Sequence, residues 1–214
     1  MNQPSLFKNE PDIKTHQTFV LGDSEIHYVA NAFTWQEADR LFQSLLDHIP
    51  WHTARLTIAG QKRLIPRLQC WMADEGRAYT YSGLKLTPHP WYPDVLRIKA
   101  RLEQLCGHSF NSVLLNLYRD GSDSVSWHAD DERELGTNPI VASVSFGAER
   151  MLEFKPKLNL SAPKKQIVLG NGSILIMGKT LQNSWLHQLP KLSGHIAPRI
   201  SLTFRKHLSG EAQI

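Results

Sequence analysis

Arg199-Ile200-Ser201-Leu202-Thr203-Phe204-Arg205 alternates polar and apolar residues without a break. In an extended strand, residues two apart share a face. Arg199, Ser201, Thr203 and Arg205 therefore take one side, and Ile200, Leu202 and Phe204 the other. Leu114-Leu115-Asn116-Leu117-Tyr118 repeats the arrangement, with Asn116 and Tyr118 on one face. Short candidate strands of this kind recur at 110–118, 140–146, 150–155, 165–169, 173–177, 184–188 and 199–205. Turn signals at Asp120-Gly121, Asn171-Gly172 and Ser193-Gly194 separate them. Many short strands with this punctuation predict a jelly roll, the double-stranded β-helix of cupins.

Upstream, the period changes to that of a helix. Thr34-Trp35-Gln36-Glu37 has the form of a capping box. Ala38, Leu41, Phe42, Leu45, Leu46 and Ile49 follow at helical spacing, which predicts an amphipathic helix over 35–49 ended by Pro50. A second helix is expected from Pro93 to Cys106, with Val95, Ile98, Leu102 and Leu105 on its apolar face and Gly107 as its C-cap. The fold class is thus α+β, mainly β, with N-terminal helices before the jelly-roll core. The expected divisions are a flexible lead over 1–17, an N-terminal region over 18–106, the core over 107–207 and a tail over 208–214.

The 214 residues suffice for one sizeable core. Hydrophobic content of 41% and charged content of 21% are those of an ordinary globular protein. No apolar run approaches the ~18 residues of a membrane span, and Met1 to Thr18 lacks an apolar secretory core. Two cysteines, Cys70 and Cys106, make no disulfide framework. The expected compartment is intracellular and reducing: cytoplasm in a bacterium, nucleus in a eukaryote. No membrane partner is expected, and the chain reads as a monomer. The net charge of +4 is a mild basic bias, concentrated at Arg55, Lys62, Arg63 and Arg67 with no acidic residue between them. That cluster fits either a polyanion-binding segment or a solvated basic loop.

His128-Ala129-Asp130 and the distant His187 have the residue types and order of a 2-His-1-carboxylate facial triad. Such a triad leaves positions open on an octahedral Fe(II). His128 and Asp130 share a face if the segment is extended. Taken alone the tripeptide also fits a solvated acidic loop, since Asp131, Glu132 and Glu134 follow it. The arginines at 199 and 205 give the last strand a doubly cationic face. In an extended strand their Cα atoms lie about 20 Å apart, so inward-leaning side chains can grip a small dicarboxylate bidentately. Ordinary surface salt bridges are the alternative.

Asn116-x-Tyr118, His128-x-Asp130, His187 and Arg199-x₅-Arg205, in that order, resemble the signature of the AlkB family of Fe(II)/2-oxoglutarate dioxygenases. The likeness covers roughly residues 60–207. Trp127-His128-Ala129-Asp130-Asp131-Glu132-Arg133-Glu134-Leu135 and Ala142-Ser143-Val144-Ser145-Phe146-Gly147 are similar to the DNA-repair branch, near the eukaryotic second and third homologues. The resemblance implies His128, Asp130 and His187 as catalytic iron ligands, with Fe(II), 2-oxoglutarate and O₂ as cofactor and cosubstrates. It implies that Arg199 and Tyr118 hold the far carboxylate of 2-oxoglutarate. Arg205 and Asn116 would address the chelating end, with Thr203 beside them, and Arg205 would also orient Asp130.

On the substrate side, the resemblance implies a nucleotide-recognition lid within 18–106. Tyr81 would stack on a flipped base and Tyr79 would hydrogen-bond its edge. Glu132 would lie near the base, and Arg67 and Gln69 would belong to the same site. Ile58, in Arg55-Leu56-Thr57-Ile58-Ala59-Gly60-Gln61-Lys62-Arg63, would be an apolar wedge at a basic hairpin tip. Core packing is the other reading of the two tyrosines. The implied activity is oxidative demethylation of 1-methyladenine or 3-methylcytosine in DNA, with RNA as a second substrate, releasing formaldehyde, succinate and CO₂. The alternatives are an oxygenase that hydroxylates protein or a small molecule, and a non-catalytic jelly-roll binding module.

Overall fold

The computed structural model describes residues 15–58, 61–74, 79–81, 84–86, 88–158, 163–178 and 180–208; for 56–58, 62, 79–81 and 84–86 it describes the backbone alone. In chain order the elements are β1 (Thr15–Leu21), β2 (Ser24–Ala30), α1 (Trp35–His48), β3 (Arg55–Ile58), β4 (Gln61–Leu64), β5 (Leu68–Ala73), β6 (Tyr79–Tyr81), β7 (Leu84–Leu86), α2 (Pro93–Cys106) and β8 (Ser112–Tyr118). There follow β9 (Val125–His128), a 3₁₀ turn (Arg133–Leu135), β10 (Val141–Gly147), β11 (Arg150–Pro156), β12 (Lys165–Leu169), β13 (Ser173–Met177), α3 (Leu181–Ser184), β14 (Trp185–Leu189) and β15 (Arg199–Arg205).

Seven strands form one antiparallel sheet in the order β1-β2-β13-β10-β15-β8-β5, and four form a second in the order β12-β11-β14-β9. Among the described residues the hairpins β3–β4 and β6–β7 pair only with themselves. This is a jelly roll, mainly β, with two helices against one face of the larger sheet. Among the described residues no helix is long and apolar enough to cross a membrane.

The helices form where the periodicity places them. Thr34 Oγ1 accepts from the Glu37 amide at 3.3 Å, which caps α1. The reciprocal half of the capping box is replaced: Glu37 pairs instead with Arg101 of α2 at 2.6 Å, a stronger charge-assisted partner. Gly107 closes α2 with φ of 68°, the left-handed conformation that a residue without Cβ adopts freely. Leu41, Leu45 and Ile49 from α1 and Val95, Ile98 and Leu102 from α2 pack on Leu115, Val144, Phe146, Ile200, Leu202 and Phe204. A second apolar cluster lies between the sheets and includes Ile26, Val141, Leu152, Phe154, Leu169, Leu175, Met177 and Leu189.

Strand β1 begins at Thr15, inside the stretch 1–17 expected as a lead, because β2 supplies a full ladder partner from Thr15↔Ala30 to Leu21↔Ser24. The strand ladder also runs across the expected division at 106, since β1, β2 and β5 all lie in the larger sheet. β9 has four residues, too few to carry a visible alternation, and did not figure among the expected strands. Of the expected tail only Leu208 is described, and its amide donates to the Glu134 carbonyl at 2.8 Å; 209–214 lie outside the described residues.

Candidate metal and cosubstrate site

The polar faces of β8, β10 and β15 meet the smaller sheet around a cavity that is partly open to solvent. His128 ends β9 and His187 lies within β14, and the two residues are directly paired across the antiparallel ladder. Their rings lie 4.2 Å apart between centroids. Asp130 follows two residues after His128. The ligand atoms of His128, Asp130 and His187 all lie within 4.8 Å of one another.

The protonation of this trio suits a cation. His128 Nδ1 lies 2.8 Å from the Ser126 carbonyl. A carbonyl can only accept, so Nδ1 carries a proton, and in the neutral ring the lone pair is on Nε2. Burial pushes the His187 imidazole down to about 3, with His128 adding to the shift and Asp130 opposing it. His187 is therefore neutral at physiological pH, as a ligand must be. Burial would raise the Asp130 carboxyl, but the Arg205 guanidinium and then the two histidines outweigh it and bring the group to about 2. Arg205 Nη2 donates to Asp130 Oδ1 at 2.7 Å. Asp130 Oδ2 is buried and has no hydrogen-bond partner. An ionised, buried oxygen without a donor is costly, and a divalent cation between it and the imidazoles satisfies it. The residues fit a facial-triad metal, with oxygen and nitrogen donors from three positions.

Arg199, Thr203 and Arg205 line the same cavity, together with Asn116 and Tyr118. Arg199 faces Tyr118 across the β15–β8 ladder. Its guanidinium carbon lies 5.3 Å from the centre of the Tyr118 ring, and Nη2 donates to Ser145 Oγ at 2.8 Å. Burial lowers the Arg199 guanidinium to about 10, against the pull of Tyr118 and with help from Arg150. Nε of Arg199 is buried without a partner, and among the described residues no carboxylate pairs with this cation. The cavity thus presents a ligand trio at one place and a buried, uncompensated cation at another, both open to one small dianion.

The substrate-side residues are less concentrated. Arg67 lines the cavity but is buried, and its guanidinium is engaged by Asn116 Oδ1 at 2.8 Å and the Ser124 carbonyl at 3.1 Å. It therefore buttresses Asn116. Gln69 is buried in β5, paired with Asn116 in register, and is not among the cavity-lining residues. Glu132 immediately precedes the 3₁₀ turn and also stands outside the lining. Tyr79 and Tyr81 stand two residues apart on β6, and Ile58 ends β3 beside the turn; their side chains lie outside the described residues.

Two buried polar residues here went unnoticed in the sequence. Gln182, fully buried in α3, accepts from the Asp130 backbone amide through Oε1 at 2.9 Å. Nothing in Thr180-Leu181-Gln182-Asn183-Ser184 distinguishes it from a surface turn. Arg150 donates to the carbonyls of Asp120, Asp123 and Pro190 at 3.2, 3.0 and 2.6 Å, and ties together loops beside the cavity. Its signal was legible: an arginine shares the period-2 face of Leu152 and Phe154.

Known proteins are similar to the chain in sequence and in fold. The profile of the 2OG-Fe(II) oxygenase superfamily matches residues 25–205. A DNA oxidative demethylase ALKBH2 from Mus musculus is 40% identical over 181 residues, covering 80% of this chain and 76% of its own. An alpha-ketoglutarate-dependent dioxygenase alkB homolog 3 from Bos taurus is 41% identical over 181 residues, covering 79% of this chain and 62% of its own. A DNA oxidative demethylase ALKBH2 from Arabidopsis thaliana is 36% identical over 217 residues, covering 89% and 69%. A solved structure titled "The structure of OsALKBH1" superposes with a TM-score of 0.59 at 15% identity, covering 90% of this chain and 100% of that one, which is a likeness of fold. The chain belongs to the 2OG-Fe(II) oxygenase superfamily.

Proposed function

We propose that the chain is an oxidative demethylase of N-alkylated nucleobases in DNA, acting on lesions such as 1-methyladenine and 3-methylcytosine, with RNA as a second substrate. The observation that carries this reading is the convergence of His128 with the buried Asp130 and His187, with Asp130 Oδ2 left without a donor. Sequence identity of 40% to a DNA oxidative demethylase supplies the substrate class. When bound, Fe(II) and 2-oxoglutarate supply the oxidation of an N-methyl carbon by O₂, with release of succinate and CO₂.

The protein positions that chemistry. His128, Asp130 and His187 hold the metal. Arg199, next to Tyr118 and Ser145, pairs with the far carboxylate of 2-oxoglutarate. Arg205, Asn116 and Thr203 flank the end that chelates the metal, and Arg205 keeps Asp130 ionised. The hydroxylated methyl group leaves as formaldehyde when its bond to the base nitrogen breaks. The hairpins β3–β4 and β6–β7 form the nucleotide-recognition lid, where Tyr81 stacks on the flipped base, Tyr79 reads its edge and Ile58 enters the gap in the duplex. Arg55, Lys62 and Arg63 face the phosphates. Arg67, which lines the cavity and bonds to Asn116, belongs to the substrate side. Gln69 and Glu132 belong to the same substrate side. The protein works as a monomer in a reducing intracellular compartment, which preserves Fe(II).

The test is mass spectrometry of methylated DNA and RNA oligonucleotides, single- and double-stranded, incubated with the protein, Fe(II) and 2-oxoglutarate. The expected result is loss of one methyl group with formaldehyde in equal amount. Succinate formation with no methyl loss from any oligonucleotide would place the substrate outside nucleic acids. Tyr81→Ala is expected to weaken oligonucleotide turnover by the worth of one base–aromatic stack, about 1–3 kcal/mol, and to leave substrate-free succinate formation unchanged.

A further inference from the structure

Asp130 is the member of the trio that no strand holds. His128 and His187 are fixed by the β9–β14 ladder, which ends at that pair. The Asp130 backbone N–H lies beyond the ladder and is buried, so it needs an acceptor from elsewhere. Gln182 Oε1 provides it at 2.9 Å. Gln182 is fully buried, and its Nε2 lies 3.5 Å from Met177 Sδ, a side chain lining the same cavity. The orientation of the carboxamide follows from chemistry: the oxygen must face the N–H, which leaves the NH₂ toward the weakly accepting sulfur. Leu181, its neighbour, is equally enclosed in an apolar cluster. An apolar side chain at 182 would pack there without the cost of burying an amide.

We propose that Gln182 is a positioning residue for the metal centre, anchoring the backbone at Asp130 so that Oδ1 stays on Arg205 and Oδ2 faces the two imidazoles. The inference rests on the reading of the trio as metal ligands. Two anchors then act on one carboxylate. Arg205 fixes one of its oxygens, and Gln182 fixes the chain from which it hangs. Because α3 runs directly into β14, the same contact ties the Asp130 segment to the segment carrying His187.

Cobalt(II) binding tests this without turnover. Gln182→Met keeps the volume and removes the acceptor. Cobalt affinity and visible absorption are measured for the wild type and the variant, with thermal melts in the absence and presence of Co(II). The expected result is cobalt affinity reduced about 10- to 100-fold, a changed absorption spectrum and a smaller thermal gain on adding metal. Should Gln182→Met not fold, Gln182→Asn, whose carboxamide is one methylene short of Asp130, is expected to show the same weakening. Equal affinity and an identical spectrum in wild type and variant, even with a lowered melting temperature, would make Gln182 a packing residue and overturn the proposal. A wild type that binds no cobalt would overturn the ligand reading itself.

Discussion

On β8, β10 and β15, Leu115, Val144 and Leu202 face the helices, while their chain neighbours Asn116, Ser143 and Thr203 face the smaller sheet. Both faces are almost completely buried. The helix-side face is satisfied by contact alone, since Ile200, Leu202 and Phe204 are 0% exposed against α1 and α2. The cavity-side face keeps Arg199 Nε buried without a partner, and Oδ2 of Asp130, which lines the same cavity, is likewise unpartnered. Stability alone would not retain them, because unpaired buried polar groups cost free energy. Strand periodicity thus divides one set of strands into a face that holds the fold and a face built for ligands.

The sharpest break between the two faces should come at the ligands. His187→Ala is expected to lower iron-dependent turnover on the order of 10³-fold or more, since metal chemistry contributes several kcal/mol to the barrier, while circular dichroism shows the fold retained. Wild-type turnover in this variant would remove the metal site from the cavity. On the helix side, Phe204→Ala should cost about 3–5 kcal/mol of stability by leaving a cavity. Chemical denaturation measures this loss, and the affinity for 2-oxoglutarate in the folded fraction should stay unchanged. If the affinity moved with stability, the faces would not be separable.

Arg199→Ala follows. Loss of a buried carboxylate partner costs about 2–5 kcal/mol, read as a rise of roughly 30-fold or more in the 2-oxoglutarate requirement. The ligand-free variant should be no less stable than the wild type, because among the described residues no carboxylate pairs with the buried Arg199 cation. A marked loss of ligand-free stability would mean that Arg199 serves the fold. The smallest effect concerns the helix layer. Asp94 accepts from Ser44 Oγ at 2.6 Å and Arg97 at 2.9 Å, with Arg40 at 3.7 Å. Burial opposes ionisation, but Ser44 and the two arginines hold the carboxyl below its ordinary 3.8. A depressed folded-state pKa stabilises the fold above the unfolded value, and that stability is lost as pH falls through the folded one. Asp94→Asn should therefore cost about 1–3 kcal/mol near pH 7, with the gap to wild type closing below about pH 4. A gap independent of pH would show that the charge is not what matters.

The same periodicity decided what the sequence disclosed. β15 was legible because seven residues alternate without interruption, and both arginines fall on one side. α1 and α2 were legible from apolar spacing and, at Gly107, from the cap. β9 was not, since four residues cannot display a period, although the strand carries His128. β1 was hidden because its outer residues are exposed and its order comes from pairing with β2. The ligand trio could be named from order and residue type. Gln182 could not, because its role lies in one contact between residues 52 apart in the chain. The burial of Arg67 was not legible either, since its sequence neighbours are those of a basic surface segment, whereas its guanidinium bonds to Asn116 in the interior.

The central claim is that the polar face joins a metal and a dicarboxylate in one cavity. Calorimetric titration of 2-oxoglutarate into the protein, with and without Mn(II) and under anaerobic conditions, tests it most directly. The account predicts that Mn(II) tightens 2-oxoglutarate binding in the wild type, that His187→Ala abolishes this gain, and that Arg199→Ala weakens binding with the metal present. Binding of 2-oxoglutarate that is indifferent to the metal, to His187 and to Arg199 would contradict it.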